Sequence, residues 1–319
     1  MENETLIMLK KASDEIKRSV IGKDDIIIKV LMTICSGGHI LLEDIPGVGK
    51  TTMAVAFSRA LGLEYNRMQF TSDVMPADVT GFNIPDRTTG KMLFKKGAVF
   101  CNLFLADEIN RTSSKTQSAL LECMEEENVT VDGVTRELPQ PFIVLATQNP
   151  CGSAGTQMLP ESQLDRFMIR LSIGYPKVSD EAAILKAKAQ GIQAAATRRV
   201  MDAEKILSAR EAAKAVYISD EVYEYIARIS AATRTDARLE LGVSPRGSIA
   251  AAKMARCTAM FKGRGFVIPE DVRFVYTDVC AHRVIGAKQK GRPLTDDQVR
   301  EIMDDIVNRI PAPKVSGKR

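Results

Sequence analysis

Two short segments of this chain contain the residue types that phosphate chemistry needs. Pro46-Gly47-Val48-Gly49-Lys50-Thr51-Thr52 is a glycine turn followed by Lys-Thr-Thr and by helix-forming residues from Met53 to Leu61. Such a turn aims backbone N–H groups at an anion from the N-terminus of a helix. Asn102-Leu103-Phe104-Leu105-Ala106-Asp107-Glu108 is an apolar run that ends in two carboxylates. In nucleotide-hydrolysing sites built from these parts, the Thr hydroxyl and the first acid hold Mg²⁺ and the Lys neutralises the β- and γ-phosphates. An acid beyond the metal ligand can polarise a water. The strict loop pattern opens on a glycine where this chain has Asp44. Gly47 and Gly49 remain where backbone must come closest to phosphate. A Gly-x-Gly-Lys run alone also fits an ordinary helix-entry turn. The apolar His39-Ile40-Leu41-Leu42 before it and Asp107-Glu108 after it favour the nucleotide site.

The elements that must position these residues show as apolar runs at His39 to Leu42, Asn102 to Ala106, Phe142 to Ala146 and Met168 to Ile173, separated by segments of helical character. This is an α/β pattern with a parallel sheet, and the runs are continuously apolar, as strands covered on both faces are. The glycine turn, the acidic pair and Gln148-Asn149 all follow strand ends, where ligands of such sheets bind. After about Tyr175 the strand signal fades. Val222, Tyr225, Ile226 and Ile229 follow Ser219 at helical spacing, and Val299, Ile302, Met303, Ile306 and Ile310 follow Thr295, which forms a capping-box signature with Gln298. A further helix is expected from Ser244-Pro245 to Gly263, and Pro269 opens the next. The second part of the chain therefore reads as all-helical, with the junction in Ala187 to Arg199 and a division into 1–195 and 196–319. Between the two motif segments, Val79 to Gly97 has too many Gly and Pro breakers for one helix and predicts an insertion or hairpin. Val129 to Thr135 predicts a second hairpin with an Asp132-Gly133 turn. Both could merely connect core elements, but such projections are read as touching a partner or substrate.

Length and composition bound the rest. At 319 residues with 45% hydrophobic and 26% charged, the chain is expected to form two globular domains. No apolar run approaches a membrane span, and Met1-Glu2-Asn3-Glu4-Thr5 lacks signal-peptide character, so a cytoplasmic address is expected. The six cysteines include no Cys-x-x-Cys pair and are read as reduced packing residues. His39 and His282, the only two histidines, are read as structural, so any metal should arrive with the nucleotide. The formal charge of +4 is mild. Its one dense basic run, Lys314 to Arg319, reads as a solvated end and leaves open a weak contact with nucleic acid or an acidic partner.

Leu105-Ala106-Asp107-Glu108-Ile109-Asn110-Arg111, Lys115 to Glu122, Ala146-Thr147-Gln148-Asn149-Pro150 and Leu159 to Phe167, with Ser244-Pro245-Arg246 and His282-Arg283, closely resemble the MoxR family of AAA+ ATPases. The resemblance runs from about Val20 to Ile285, and Asp44 is similar to that family's own Glu-Asp-x-Pro-Gly-x-Gly-Lys-Thr loop. It implies an αβα core with a central five-stranded parallel sheet and a smaller all-α lid. It also implies a homo-oligomeric ring, usually hexameric, that binds ATP and Mg²⁺ between subunits. Lys50 and Thr51 would be the phosphate and Mg²⁺ contacts, within a loop Pro46-Gly47-Val48-Gly49-Lys50-Thr51-Thr52. Asp107 would be the second metal contact, Glu108 the water-polarising base and Asn149 the sensor of the attacking water. Arg166 resembles the arginine finger offered to the neighbouring subunit and Arg246 the second sensor on the lid, while Ile21 and Gly22 lie where the adenine edge is often held.

Alternatives stay open beside these assignments. Arg166 could be a strand-end salt bridge with Arg170 as the finger, Arg246 could cap a helix or serve either its own or the adjacent site, and Asn149 could be a turn residue before Pro150. The functional expectation is ATP hydrolysis driving chaperone-like remodelling of a protein client, often with a partner containing a von Willebrand factor A domain. A nucleic-acid motor of the minichromosome-maintenance type and a magnesium-chelatase-like motor subunit are the competing readings. Slight net charge and the lack of a basic stripe with interleaved aromatics argue against nucleic acid.

Overall fold

The computed structural model describes residues 2–45, 47–88, 90–149, 159–189, 197–289 and 291–313, with only the backbone of Glu2 and Asn3. Pro46, Pro150, Cys151, part of the expected junction (190–196) and the basic run from Lys314 to Arg319 lie outside the described residues. In chain order the elements are α1 (Glu2–Lys17), α2 (Asp24–Cys35), β1 (Ile40–Glu43), α3 (Lys50–Ala60), β2 (Tyr65–Gln69), α4 (Pro76–Thr80), β3 (Gly81–Pro85), β4 (Met92–Lys96) and β5 (Leu103–Asp107). There follow α5 (Ser114–Glu126), β6 (Asn128–Val131), β7 (Val134–Glu137), β8 (Ile143–Gln148), α6 (Glu161–Leu164), β9 (Ile169–Leu171) and α7 (Val178–Ala189). The second part holds α8 (Ala203–Ala215), α9 (Asp220–Thr235), β10 (Leu239–Leu241), α10 (Pro245–Phe261), α11 (Pro269–Cys280), β11 (Ile285–Gly286) and α12 (Asp296–Arg309).

Five parallel strands form one sheet in the order β2-β5-β8-β1-β9. The apolar runs explain its layers, because successive side chains leave a strand on opposite faces. Ile40, Leu42, Leu103, Leu105, Ile143 and Leu145 enter one buried cluster, while Leu41, Phe104, Ala106, Val144 and Ala146 enter the other. Truncating one of these leucines to Ala would cost about 2–5 kcal/mol. Four of the five strands correspond to the apolar runs of the sequence. The fifth, β2, is an edge strand of composition Tyr-Asn-Arg-Met-Gln with no fully buried residue, so it carries no apolar run to detect.

The breaker-rich segment is the short α4 followed by a β3–β4 hairpin, and Asp132-Gly133 closes the β6–β7 hairpin with φ of 51° and 76°. Positive φ at both central residues is what a type I′ turn requires. The hairpins touch: the Asn83 amide donates to Asp132 Oδ2 (2.7 Å), and the Arg136 guanidinium stacks 3.8 Å from the Phe94 ring centroid. In the second part, Thr295 and Gln298 form the expected reciprocal cap, and Ser244 caps α10 through the Gly247 N–H. That part is not wholly helical, since β10 and β11 pair antiparallel. Its helices share one apolar cluster with α1 and α2, and Arg210 donates to the Ile34 carbonyl across that boundary (3.0 Å). The five described cysteines are free and buried, and among the described residues no helix is long and apolar enough to cross a membrane.

Both histidines are buried. His39 Nδ1 accepts the Val144 N–H (3.0 Å), so its Nε2 must carry the proton that is donated to the Met124 carbonyl (3.0 Å). This fixes a neutral ring that joins β8 to the end of α5. Burial lowers the His39 pKa from 6.5 to about 4, and it drives His282, whose Nε2 meets the Phe167 carbonyl, well below its ordinary value. A depressed histidine pKa means that the unfolded chain binds more protons in this window. The stabilisation is thus full above pH 6.5 and is lost as pH falls through about 4. For His39 the loss amounts to roughly 3 kcal/mol. Denaturant unfolding of H39Q between pH 6.5 and 4 should show a shallower decline in stability than the parent chain, and equal slopes would refute this account.

Candidate nucleotide site

Gly47 and Gly49 adopt φ of +90° and +97°, and among the described residues a Cβ on either would meet nothing within 4 Å. Backbone conformation, not lack of space, is therefore what requires glycine here. No side chain caps α3 at Gly49, so the first N–H groups of that helix remain available to an anion. Lys50, buried at the first position of α3, donates to the Asp44 carbonyl (2.7 Å). Burial lowers its pKa, against the pull of the surrounding Asp44, Asp107, Glu108 and Glu43 carboxylates. Thr51 is half-buried and Thr52 exposed, while Val48 packs on the main cluster; Pro46 lies outside the described residues.

The Asp44 carboxylate accepts from the Gly174 N–H (2.6 Å), Ser172 Oγ (3.1 Å) and the Ile45 N–H (2.9 Å). It ties the start of the loop to the chain beyond β9, which accounts for an acid where the strict pattern has glycine. Gly174 is also a hub for the Val20-Ile21-Gly22-Lys23 run: Lys23 Nζ donates to the carbonyls of Ile173 (2.6 Å), Gly174 (3.2 Å) and Tyr175 (3.0 Å). Gly22 has φ of +74°, and a Cβ there would fall 2.3 Å from Asp180 Oδ2 at the start of α7. Ile21 and Gly22 are thereby placed beside the loop's anchor.

The two acids are held by the neighbouring strand. Thr147 Oγ1 donates to Asp107 Oδ1 (2.7 Å) and accepts the Glu108 N–H (2.8 Å). Asp107 Oδ2 receives Arg67 Nη2 from β2 (2.7 Å). Glu108 sits at φ 58°, a left-handed conformation that costs a non-glycine residue about 1–2 kcal/mol. Its Oε1 accepts from the Asn149 amide (3.0 Å) and its Oε2 from Arg111 Nη1 (2.8 Å). Burial pushes the Glu108 carboxyl up, but hydrogen bonds from Arg111 and Asn149 and the Arg111 charge bring it below its ordinary value. The carboxylate is thus ionised and oriented. Asn149 is itself fixed by Asn110, whose amide donates to its carbonyl (3.2 Å), and its buried Oδ1 has no hydrogen-bond partner among the described residues.

Among the described residues no three His, Cys, Asp or Glu side chains gather to hold a metal by themselves. The Thr51 hydroxyl and Asp107 carboxylate are hard oxygen donors suited to Mg²⁺, which characteristically takes one or two protein ligands and completes its shell with phosphate and water. Arg166 is ion-paired with Glu125 at the end of α5, and Arg246 lies 3.4 Å from Glu125 and 3.5 Å from Asp165. Arg166 lines a cleft with Ser118, Glu122, Glu126 and Gln163 that includes none of residues 47–52. Arg170 points inward, bridging Glu43 (3.1 Å) and Asp296 (2.8 Å).

Thr147, Arg67 and Arg111 had no role in the sequence reading. Thr147 stood in the quoted Thr-Gln-Asn triplet, yet a hydroxyl two residues before a sensor carries no sign of its partners. Arg67 lies on the strand that the apolar pattern missed. T147V keeps the side chain's shape and leaves the Glu108 N–H without an acceptor, so it should lower unfolding free energy by about 1–3 kcal/mol. T147S should restore most of it, and equal denaturant midpoints for T147V and the parent would sink the assignment.

Known proteins agree with this geometry. The family model described as the ATPase family associated with various cellular activities (AAA) matches residues 39–169, and the AAA lid domain model matches 231–306. The chain is 43% identical over 302 residues to the uncharacterized protein YeaC of Bacillus subtilis, covering 94% of each. It is 37% identical over 311 residues to chaperone MoxR1 of Mycobacterium tuberculosis, covering 95% of this chain and 80% of that one. A crystal structure from Cytophaga hutchinsonii superposes with a TM-score of 0.89 at 34% identity, over 98% of this chain and 97% of that one. With a five-stranded parallel core, a lid and relatives of this closeness, the chain belongs to the MoxR family of AAA+ ATPases.

Proposed function

We propose that this protein hydrolyses ATP with Mg²⁺ at the interfaces of a homo-oligomeric, hexameric ring and uses the cycle for chaperone-like remodelling of a protein client in the cytoplasm. The observation that carries the reading is the Asn149–Glu108 hydrogen bond at the ends of β8 and β5, with the Lys50 ammonium among the same carboxylates. Mg²⁺ held by Thr51 and Asp107 would add positive charge at the phosphates. Lys50 exchanges its bond to the Asp44 carbonyl for phosphate oxygens, while the N–H groups of Gly47 to Thr52 cradle them. Glu108 accepts a hydrogen bond from the attacking water and takes up its proton as the water oxygen bonds to the γ-phosphorus, and Asn149, bonded to Glu108 Oε1, helps to orient that water. Ile21 and Gly22 flank the base.

The cleft that Arg166 lines includes none of residues 47–52, which supports its action on a neighbour's γ-phosphate. Tyr175 before α7 and Val178 and Leu185 within it are 79%, 87% and 65% exposed, and large apolar surface of this kind suits a covering subunit. The inward pairing of Arg170 with Glu43 and Asp296 favours Arg166 as the finger. Arg246, sharing Glu125 with Arg166, fits a role in the adjacent site better than in its own. The division at 1–195 and 196–319, with a von Willebrand factor A domain protein as partner, belongs to the same reading. The MoxR1 relative is named a chaperone, which supports a protein client.

K50A should abolish binding of a fluorescent ATP analogue, whereas E108Q should bind it and lose turnover by about 10²–10⁴. Retained Mg²⁺-dependent turnover in both variants would overturn the reading. R166A should lose about 10³-fold or more with binding intact. Mixing R166A with K50A should restore part of the turnover, since some interfaces then contain an intact loop and an intact finger; no restoration would exclude action in trans.

A further inference from the structure

We propose that Glu125 is a positioning residue whose carboxylate gathers Arg166 and Arg246 into one anion-accepting pair for a neighbouring chain's terminal phosphate. The inference rests on the composite site proposed above and adds to it a residue that touches neither nucleotide nor water. Arg166 follows α6, Arg246 opens α10 in the lid, and Glu125 ends α5, so three elements from distant parts of the chain meet here. Glu125 uses one oxygen for each arginine: Oε2 for Arg166 and Oε1 for Arg246.

The charge count shows what the cluster lacks. Asp165, the other acid near Arg246, is already paired with the buried Arg283, which donates also to the Asp165 carbonyl (2.9 Å). Glu125 is therefore the one carboxylate ion-paired with both arginines, beside the Glu122 charge near Arg166 and Asp165 near Arg246. Burial and the Arg246 charge work against the protonated form of Arg166, and the Glu122 charge favours it. Two guanidiniums at this separation repel unless an anion lies between them, and the carboxylate supplies it in the isolated chain. A phosphate presents the same pair of oxygens with more charge, and it can be taken up by arginines already converged. Glu122 and Glu126 line the same cleft, so a free phosphate in it is opposed; the pair must instead meet a phosphate presented at the rim. Without Glu125 the two side chains would separate, and misplacement by about 1 Å is enough to cost a large factor in rate.

In assembled protein, E125A should lower kcat for ATP about tenfold or more and leave KM, ring size by light scattering and the thermal midpoint unchanged. It should also weaken retention of Mg²⁺·ADP with fluoroaluminate about tenfold, while a non-hydrolysable ATP analogue binds as before. E125Q, which keeps the shape and one carbonyl acceptor, should fall between. Unchanged or increased kcat in E125A, or equal losses of analogue and fluoroaluminate binding, would overturn the proposal. Should R166A itself turn over ATP normally, the composite site fails; should R166A be inactive and E125A normal, only the role of Glu125 fails.

Discussion

Most of the site depends on the register between β5 and β8. Leu103 to Ala106 align with Ile143 to Ala146, which sets Asp107 beside Thr147 and brings Asn149 to Glu108 at the strand ends. A shift of one residue would turn every side chain to the other face and send Asp107 into a hydrophobic layer. That shift is prevented by the two buried clusters, since Leu103 and Leu105 fit one and Phe104 and Ala106 the other. Packing energy on both faces of the sheet is thereby converted into the placement of two carboxylates. The backbone at Glu108 is left-handed, and the Thr147 hydroxyl offsets part of that cost by accepting its N–H.

The lid is joined to this sheet by charges as well as by apolar contact. Arg170 on β9 holds Glu43 at the end of β1 with one amine and Asp296 at the start of α12 with the other. Asp278 on α11 receives Lys29 of α2 (2.5 Å) and Arg300 of α12. Partly exposed pairs of this kind contribute little net stability against apolar packing, but they fix the relative placement of the charged groups they join. They therefore specify one arrangement of lid on core. The residue next to the glycine loop is in this way mechanically linked to a lid helix, and the arginine cluster around Glu125 spans the same boundary from the other side.

The two hairpins stand apart from this frame. They contact one another through Asn83–Asp132 and Arg136–Phe94, and they expose Met92, Leu93 and Val134. The β6–β7 turn was readable, because an Asp-Gly pair between β-prone arms has few other solutions, whereas the breaker-rich β3–β4 segment read only as an insertion or hairpin. What they meet is not encoded in that chemistry.

The amino-acid sequence by itself determined the buried strands, the glycine loop, the acidic pair, the helix start near Ser244-Pro245 and the helix cap at Thr295. Each of these is a local pattern with a local physical cause: apolar continuity, positive φ, or a side chain returning to its own backbone. The polar edge strand β2 and the small β10–β11 pair escaped it, since a strand without a buried face has no periodic signal. Only the tertiary structure decided that Asp44 is an anchor to Gly174, that Thr147 couples the two acids, and that Glu125 brings Arg166 and Arg246 together. These contacts join residues far apart in the chain, and their partners are chosen by the register and packing of whole elements, which no short stretch of sequence contains.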